Sequence, residues 1–168
     1  MATVHHVKKA RKDNKAQGIK KGNEYWWWSF KHGYSSSKHY SLTPPKRSQT
    51  TQSPFYAAMY DIEDMISDAV ADDTLPGVVE SIVEALREAA DECQEKFDNM
   101  PEGLQQGDTG QLLEQRVEAC NTAADEFEGI DMEVPEIDLK GPEGSGETEE
   151  TFWQEKLDEV QGISIDYE

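Results

Sequence analysis

Apolar positions along the chain are sparse and grouped, and each group carries its own period. Phe55, Met59, Ile62, Ile66 and Ala69 recur at alternating steps of four and three, the spacing that lines one face of an α-helix. Ser53 followed by Pro54 offers that helix an N-cap and a first-turn proline. A second helix is predicted from about Thr74, with Pro76 in its first turn and a stripe of Val79, Ile82, Leu86, Ala89, Cys93, Phe97 and Met100. A third begins at Asp108 or Thr109, where Asp108 and Gln111 fit a capping box. It carries Leu113, Val117, Cys120, Ala124 and Phe127 and ends at Gly129, a suitable C′ residue. These seams are narrow and coiled-coil-like.

The second and third stripes match in antiparallel register. The residue numbers of Met100 and Leu113, Cys93 and Cys120, Ala89 and Ala124, and Leu86 and Phe127 all add to 213. Small side chains then face small ones and large face large, across a loop at 101–107 that holds Pro101 and Gly103. The register places Cys93 near Cys120, read as two buried thiols filling a thin layer, with a redox-sensitive disulfide as the alternative.

Elsewhere the period is two. Tyr25-Trp26-Trp27-Trp28-Ser29-Phe30 is a strand in which Trp26, Trp28 and Phe30 share one face and Tyr25 and Trp27 the other. Residues 32–37 read as a turn, and Lys38–Thr43 as a second strand stopped by Pro44-Pro45. Beyond Gly129, Ile130, Met132, Val134, Ile137 and Leu139 alternate with acids and suggest an edge strand or an extended strap. Residues 141–147 read as a flexible acidic linker. Thr151 then caps a short amphipathic helix with Trp153, Leu157 and Val160 on one stripe, expected to dock on its own domain.

The expected fold class is α+β, mainly α. A basic arm (1–24) and a Trp-rich β-hairpin (25–45) precede a three-helix segment (54–129), and residues 130–168 form an acidic extended tail with a short C-terminal helix. The arm, with only Val4 and Val7 as apolar signals, is expected to be disordered if taken alone.

Charge sharpens this division. The 168 residues carry 16 Lys+Arg against 35 Asp+Glu, a net −19. Residues 1–51 hold eleven of the basic residues and only Asp13 and Glu24 as acids, whereas residues 52–168 hold five basic residues and 33 acids. Such a chain either presents its basic arm to an external polyanion or folds it onto acids of its own or a neighbouring chain. Apolar content of 36% and the lack of a long apolar run argue against a membrane span or a large core. The N-terminus has the charge of a signal peptide but no apolar stretch after it, so a cytosolic setting with reduced cysteines is expected.

No GxGxxG, Walker A, HExxH, GxSxG or CxxC pattern occurs, and paired acids carry no specificity in so acidic a chain, so no enzyme, catalytic residue or cofactor is expected. His5, His6, His32 and His39 lack the cysteines and short spacings of a structural zinc site, and no metal is expected. The distinctive stretch is aromatic and basic: Trp26, Trp27, Trp28, Phe30, Tyr34 and Tyr40 among Lys20, Lys21, Lys31 and Lys38. Packing of the hairpin on the helices through the tryptophans is the first reading. Single-stranded nucleic acid, with bases on rings and lysines on phosphates, and a protein-binding surface are the functional ones. For binding, the candidate residues are Lys20, Lys21, Trp26, Trp27, Trp28, Phe30, Lys31 and Tyr40. The acidic helices add a DNA-mimic reading, in which carboxylates imitate phosphates and inhibit a host DNA-binding protein.

The segments Val4–Asp13, Gly18–Gly22, Tyr25–Phe30 and Ser41–Thr50 resemble a group of small uncharacterised proteins encoded by tailed bacteriophages, over about residues 1–55. Ile19-Lys20-Lys21-Gly22 followed by Tyr25-Trp26 also looks like the strand after the first knuckle of zinc-ribbon proteins, but the knuckle cysteines are missing and no zinc site follows. The phage resemblance implies a host-cytoplasm or virion setting and transfers no activity and no site residues. The expectation is a non-enzymatic phage interaction protein that binds a macromolecule, foremost a protein, through its acidic helical face or its aromatic hairpin. The alternatives are a DNA mimic, a single-stranded nucleic-acid binder, and a self-associating virion or assembly component. No membrane partner and no small-molecule substrate is evident in the sequence.

Overall fold

The computed structural model describes residues 1–32, 35–134 and 149–167. Tyr34, the second half of the 130–139 alternation and the 141–147 linker lie outside the described residues. The chain divides into two compact units, Met1–Asp61 and Ile62–Glu168. The division falls inside the first helix, α1 (Pro54–Asp68). By sequence the first unit carries eleven basic and three acidic residues, the second five and 32. Charge and compactness therefore separate the chain in nearly the same place.

The first unit holds a three-stranded antiparallel sheet in chain order, β1 (His5–Val7), β2 (Tyr25–His32) and β3 (Ser35–Ser41). β2 pairs with β3 from Trp26↔Ser41 to His32↔Ser35, so both strands run into the stretch read as a turn. The serines at 35–37 continue the ladder because β3 is an edge strand with little to bury. The third strand was not foreseen: β1 pairs with β2 through His5↔Trp27, His6↔Trp26 and Val7↔Tyr25.

Within the full chain, residues 8–24 are a folded loop. Asn14 and Ile19 exchange backbone hydrogen bonds of 2.7 and 3.1 Å around a single 3₁₀ turn, Lys15–Gln17. Gly18 closes that turn at φ +68°, a left-handed conformation that costs glycine nothing. Gly22, also left-handed, donates to the Ala10 carbonyl, and Ala10 donates to Asn23. The loop buries Ala10 and Ile19, each below 5% exposure. Its order thus comes from backbone pairing and two small apolar anchors, neither of which leaves a periodic trace.

The helices follow their stripes closely. In α1 the Tyr56 N–H reaches Ser53 Oγ at 3.4 Å, the predicted cap, and Phe55, Met59 and Ile62 are buried. In the second unit, α2 (Leu75–Asp98) buries Val79, Ile82, Leu86, Ala89 and Cys93, together with Leu75 and Ala90. A one-turn helix, α3 (Glu102–Gln105), occupies the predicted loop, and α4 (Asp108–Glu128) buries Leu113, Cys120, Ala123, Ala124 and Phe127. Arg87 of α2 meets Asn121 and Asp125 of α4 at 2.9 and 2.6 Å, and Cys93 lies within electrostatic range of Cys120. Both agree with the antiparallel register. Phe97, Met100 and Val117, at the loop end, are only half-buried.

Three end effects differ from expectation. Helix α4 starts at Asp108 itself, so Gly107 holds the cap position and no side-chain capping bond forms. Gly129 ends α4 at φ −74° and uses no left-handed freedom. Thr151 lies inside α5 (Glu149–Gly162) rather than at its cap. That helix is too short to persist alone in water. It buries Trp153, Leu157 and Val160 and packs on α2, as its stripe predicted. Residues 131–134 form no strand. No helix among the described residues is long and apolar enough to cross a membrane.

Candidate functional site

Alternation along β2 splits the candidate residues between two faces. Trp26, Trp28 and Phe30 share the first with the cross-strand residues His6 and His39. Tyr25, Trp27 and Lys31 share the second with His5, Lys38 and Tyr40. The predicted residues therefore do not form one surface.

On both faces, histidines lie flat on tryptophans. His6 stacks on Trp26 with ring centroids 4.7 Å apart and planes 7° from parallel. His39 covers Trp28 at 5.6 Å and meets Phe30 edge-on at 5.4 Å. On the second face His5 stacks on Trp27 at 4.1 Å and 14°. Lys38 Nζ also lies over the Trp27 ring, 5.1 Å from its centroid, a cation–π contact. Cross-strand pairs of this kind contribute roughly 0.2–1 kcal/mol each, so the histidines help hold β1 and β3 to β2. His6 Nε2 also pairs with Glu24 Oε1 at 2.6 Å. Among the described residues no group of three His, Cys, Asp or Glu is placed to hold a metal.

Burial distinguishes the faces. Trp28 is 5% exposed, and its indole N–H has no hydrogen-bond partner among the described residues. It is an anchor rather than a binding platform. The second face buries nothing fully: Tyr25, Trp27 and Tyr40 are half-buried, and His5, Lys31 and Lys38 are exposed. Of the three tryptophans of β2, Trp28 is buried and Trp26 and Trp27 are half-buried.

Beside Tyr25 and Tyr40 the folded loop borders an open cleft of about 700 Å³, lined by both tyrosines with Val7, Lys9, Ala10, Arg11, Lys12, Asp13, Asn14 and Ile19. Lys20 and Lys21, the lysines singled out from the sequence, are exposed and do not line it. Lys21 instead donates its backbone N–H to Asp13 Oδ1 at 2.6 Å, which fixes the loop. The sequence signals for Lys9, Arg11 and Lys12 were the basic run itself and the two glycines that turn the loop back on it.

In the acidic unit, the outer side of α2 forms a shallow groove lined by Glu84, Glu88, Asp91, Glu92, Glu95 and Asp98 with Arg87 and Gln94. Among the described residues its one cation is already engaged: Arg87 is held charged by its hydrogen bond to Asp125, with further attraction from Glu128. Lys96, outside the groove, pairs with the groove's Glu92 at 2.9 Å. Cys93 and Cys120 are free thiols, and burial raises both pKa values, that of Cys120 to about 11. A thiol so far from ionising is a poor nucleophile.

No protein family, curated protein or solved structure matches the chain.

Proposed function

We propose that the chain is a non-enzymatic interaction protein of bacteriophage origin that binds a protein partner through the second face of its sheet. The observation that carries this reading is the open face itself, where half-buried Tyr25, Trp27 and Tyr40 stand beside exposed Lys31 and Lys38. Trp and Tyr are among the residues that dominate protein–protein contact energy. The lysines favour a partner whose contact surface is acidic.

Protein contact suits this face better than stacked nucleic-acid bases. A base needs an open ring face. His5 and Lys38 both lie over the Trp27 ring, so a base would have to displace one of them. A partner side chain needs only the ring edges and the tyrosines.

The test is capture from an extract of infected cells with three tagged baits. These are the native chain, Trp27→Ala combined with Lys38→Ala, and Glu88→Gln combined with Glu92→Gln. A partner retained by the native and helix-neutralised baits but lost from the sheet variant supports the reading. A partner lost only from the helix variant moves the function to the acidic groove and to DNA mimicry. Light-scattering mass of the pure chain separates both from a self-assembling virion component, which would be a stable oligomer without any partner.

A further inference from the structure

We propose that the open cleft beside the 8–24 loop binds a nucleotide, with its base on the tyrosine pair and its phosphate among Lys9, Arg11 and Lys12. The site is distinct in chemistry from the protein-binding face and shares with it only Tyr25 and Tyr40.

Four observations converge on this ligand. The cleft of about 700 Å³ lies within the range of small-molecule sites, roughly 300–1,000 Å³. Its cations are concentrated on one run of the loop, and the single acid, Asp13, already accepts a hydrogen bond from Lys21. A guanidinium and two ammonium groups lining one cleft are suited to a phosphate, which Arg can grip with two parallel N–H donors. The lining also includes an aromatic pair: the Tyr25 and Tyr40 rings are 6.3 Å apart and inclined by 38°. Rings so close and so tilted cannot admit a base between them, so a base would rest against the pair from the cleft side. Unlike Trp27, they carry no stacked histidine and no lysine over the ring among the described contacts.

The walls are also built before any ligand arrives. Ala10 and Ile19 are buried, and the backbone bonds of Ala10 with Asn23, Gly22 with Ala10, and Asn14 with Ile19 fix the loop. A formed site loses less conformational entropy on binding than a mobile basic tail. The same chemistry is offered by a free mononucleotide and by one residue of a single-stranded nucleic acid.

The full chain is titrated at low salt with AMP, adenosine, inorganic phosphate and a deoxyadenosine oligonucleotide, followed by calorimetry and intrinsic fluorescence. The nucleotide or the oligonucleotide binds, and adenosine and phosphate alone each bind more weakly. Arg11→Ala, a change at an exposed position, weakens binding several-fold. Tyr40→Ala weakens it at least about 5-fold, the lower end of a base–aromatic stack. Lys15→Ala removes the same charge outside the cleft and leaves binding unchanged. A per-nucleotide preference for the oligonucleotide with a steep salt slope assigns the source as single strands, and equal affinity assigns free nucleotide; both support the site. Failure of AMP and the oligonucleotide to bind at millimolar concentration would overturn it. So would phosphate binding as tightly as AMP, or Lys15→Ala costing as much as Arg11→Ala.

Discussion

Replacing Gly110 by alanine should destabilise the helical unit, although alanine is the better helix former. Gly110 is buried in the first turn of α4. A Cβ there would fall 2.5 Å from the carbonyl carbon of Gln105 and 2.7 Å from its Cα, and closer still to its carbonyl oxygen. These are backbone atoms, so α3 itself must move. Gln105 is not free to follow, because its side-chain amide donates to the Phe97 and Met100 carbonyls at 3.1 Å each and closes the C-terminal end of α2. Overpacking of this kind costs about 1–3 kcal/mol. Losing the two Gln105 bonds adds roughly 0.5–1.5 kcal/mol each. Alanine's helix propensity returns at most about 1 kcal/mol. The balance is about 3 kcal/mol destabilising, or a melting temperature lower by about 15 °C for a unit of this size. Gly77→Ala is the internal control. Gly77 is also in the first turn of a helix, α2, but a Cβ added there would meet nothing within 4 Å. That change should stabilise by up to about 1 kcal/mol. Thermal and urea unfolding followed by far-UV circular dichroism read both. If Gly110→Ala is as stable as the native chain, or shifts with Gly77→Ala, α3 does not press on α4 as described.

Three further outcomes follow from the same geometry. In the native protein Cys93 and Cys120 should resist iodoacetamide at neutral pH and both react on denaturation, read by mass spectrometry; fast native labelling of Cys120 would mean that the α2–α4 layer opens. The Asp72 carboxyl lies below its usual range because the Thr74 hydroxyl donates to it, joined by the Thr74 N–H at 2.9 Å. A pKa lowered on folding adds stability above the unfolded value of about 3.9 and loses it as pH falls through the folded one. Asp72→Asn should therefore lower the urea midpoint at pH 7 and have less effect at pH 3, and an equal effect at both would count against the charged interaction. Tyr167→Phe removes the hydroxyl that donates to Glu63 at 2.5 Å. It should cost about 1 kcal/mol in urea unfolding, and an unchanged midpoint would show that this link is not maintained in solution.

The helical unit was readable because its burial is periodic. Val79, Ile82, Leu86 and Cys93 on one helix and Leu113, Cys120 and Phe127 on the other are spaced by the helix repeat, and matching small to small located Cys93 against Cys120. Trp153, Leu157 and Val160 marked the docking face of α5 in the same way. The folded loop was not readable, since Ala10 and Ile19 are single anchors and the bonds of Asn14 and Gly22 are made by backbone, which every residue carries. For the same reason β1 was missed, and with it the role of His5 and His6, which depends on a register set across eighteen or more residues of sequence. The aromatic run was correctly read as a strand with Trp27 opposite in face to Trp26 and Trp28. Composition alone could not say which lysines the loop turns toward the tyrosines, and the structure places Lys9 and Lys12 there rather than Lys20 and Lys21.

The most direct test of the central claim is amide hydrogen exchange on this chain, free and in complex with the captured protein. Peptic peptides would be compared over the sheet and over the two long helices. Binding through the open sheet face predicts slowed exchange in β2 around Trp27–Lys31 and in β3 around Lys38–Tyr40, with α2 and α4 unchanged. Protection confined to α2 and α4, with β2 and β3 exchanging as in the free chain, would contradict it.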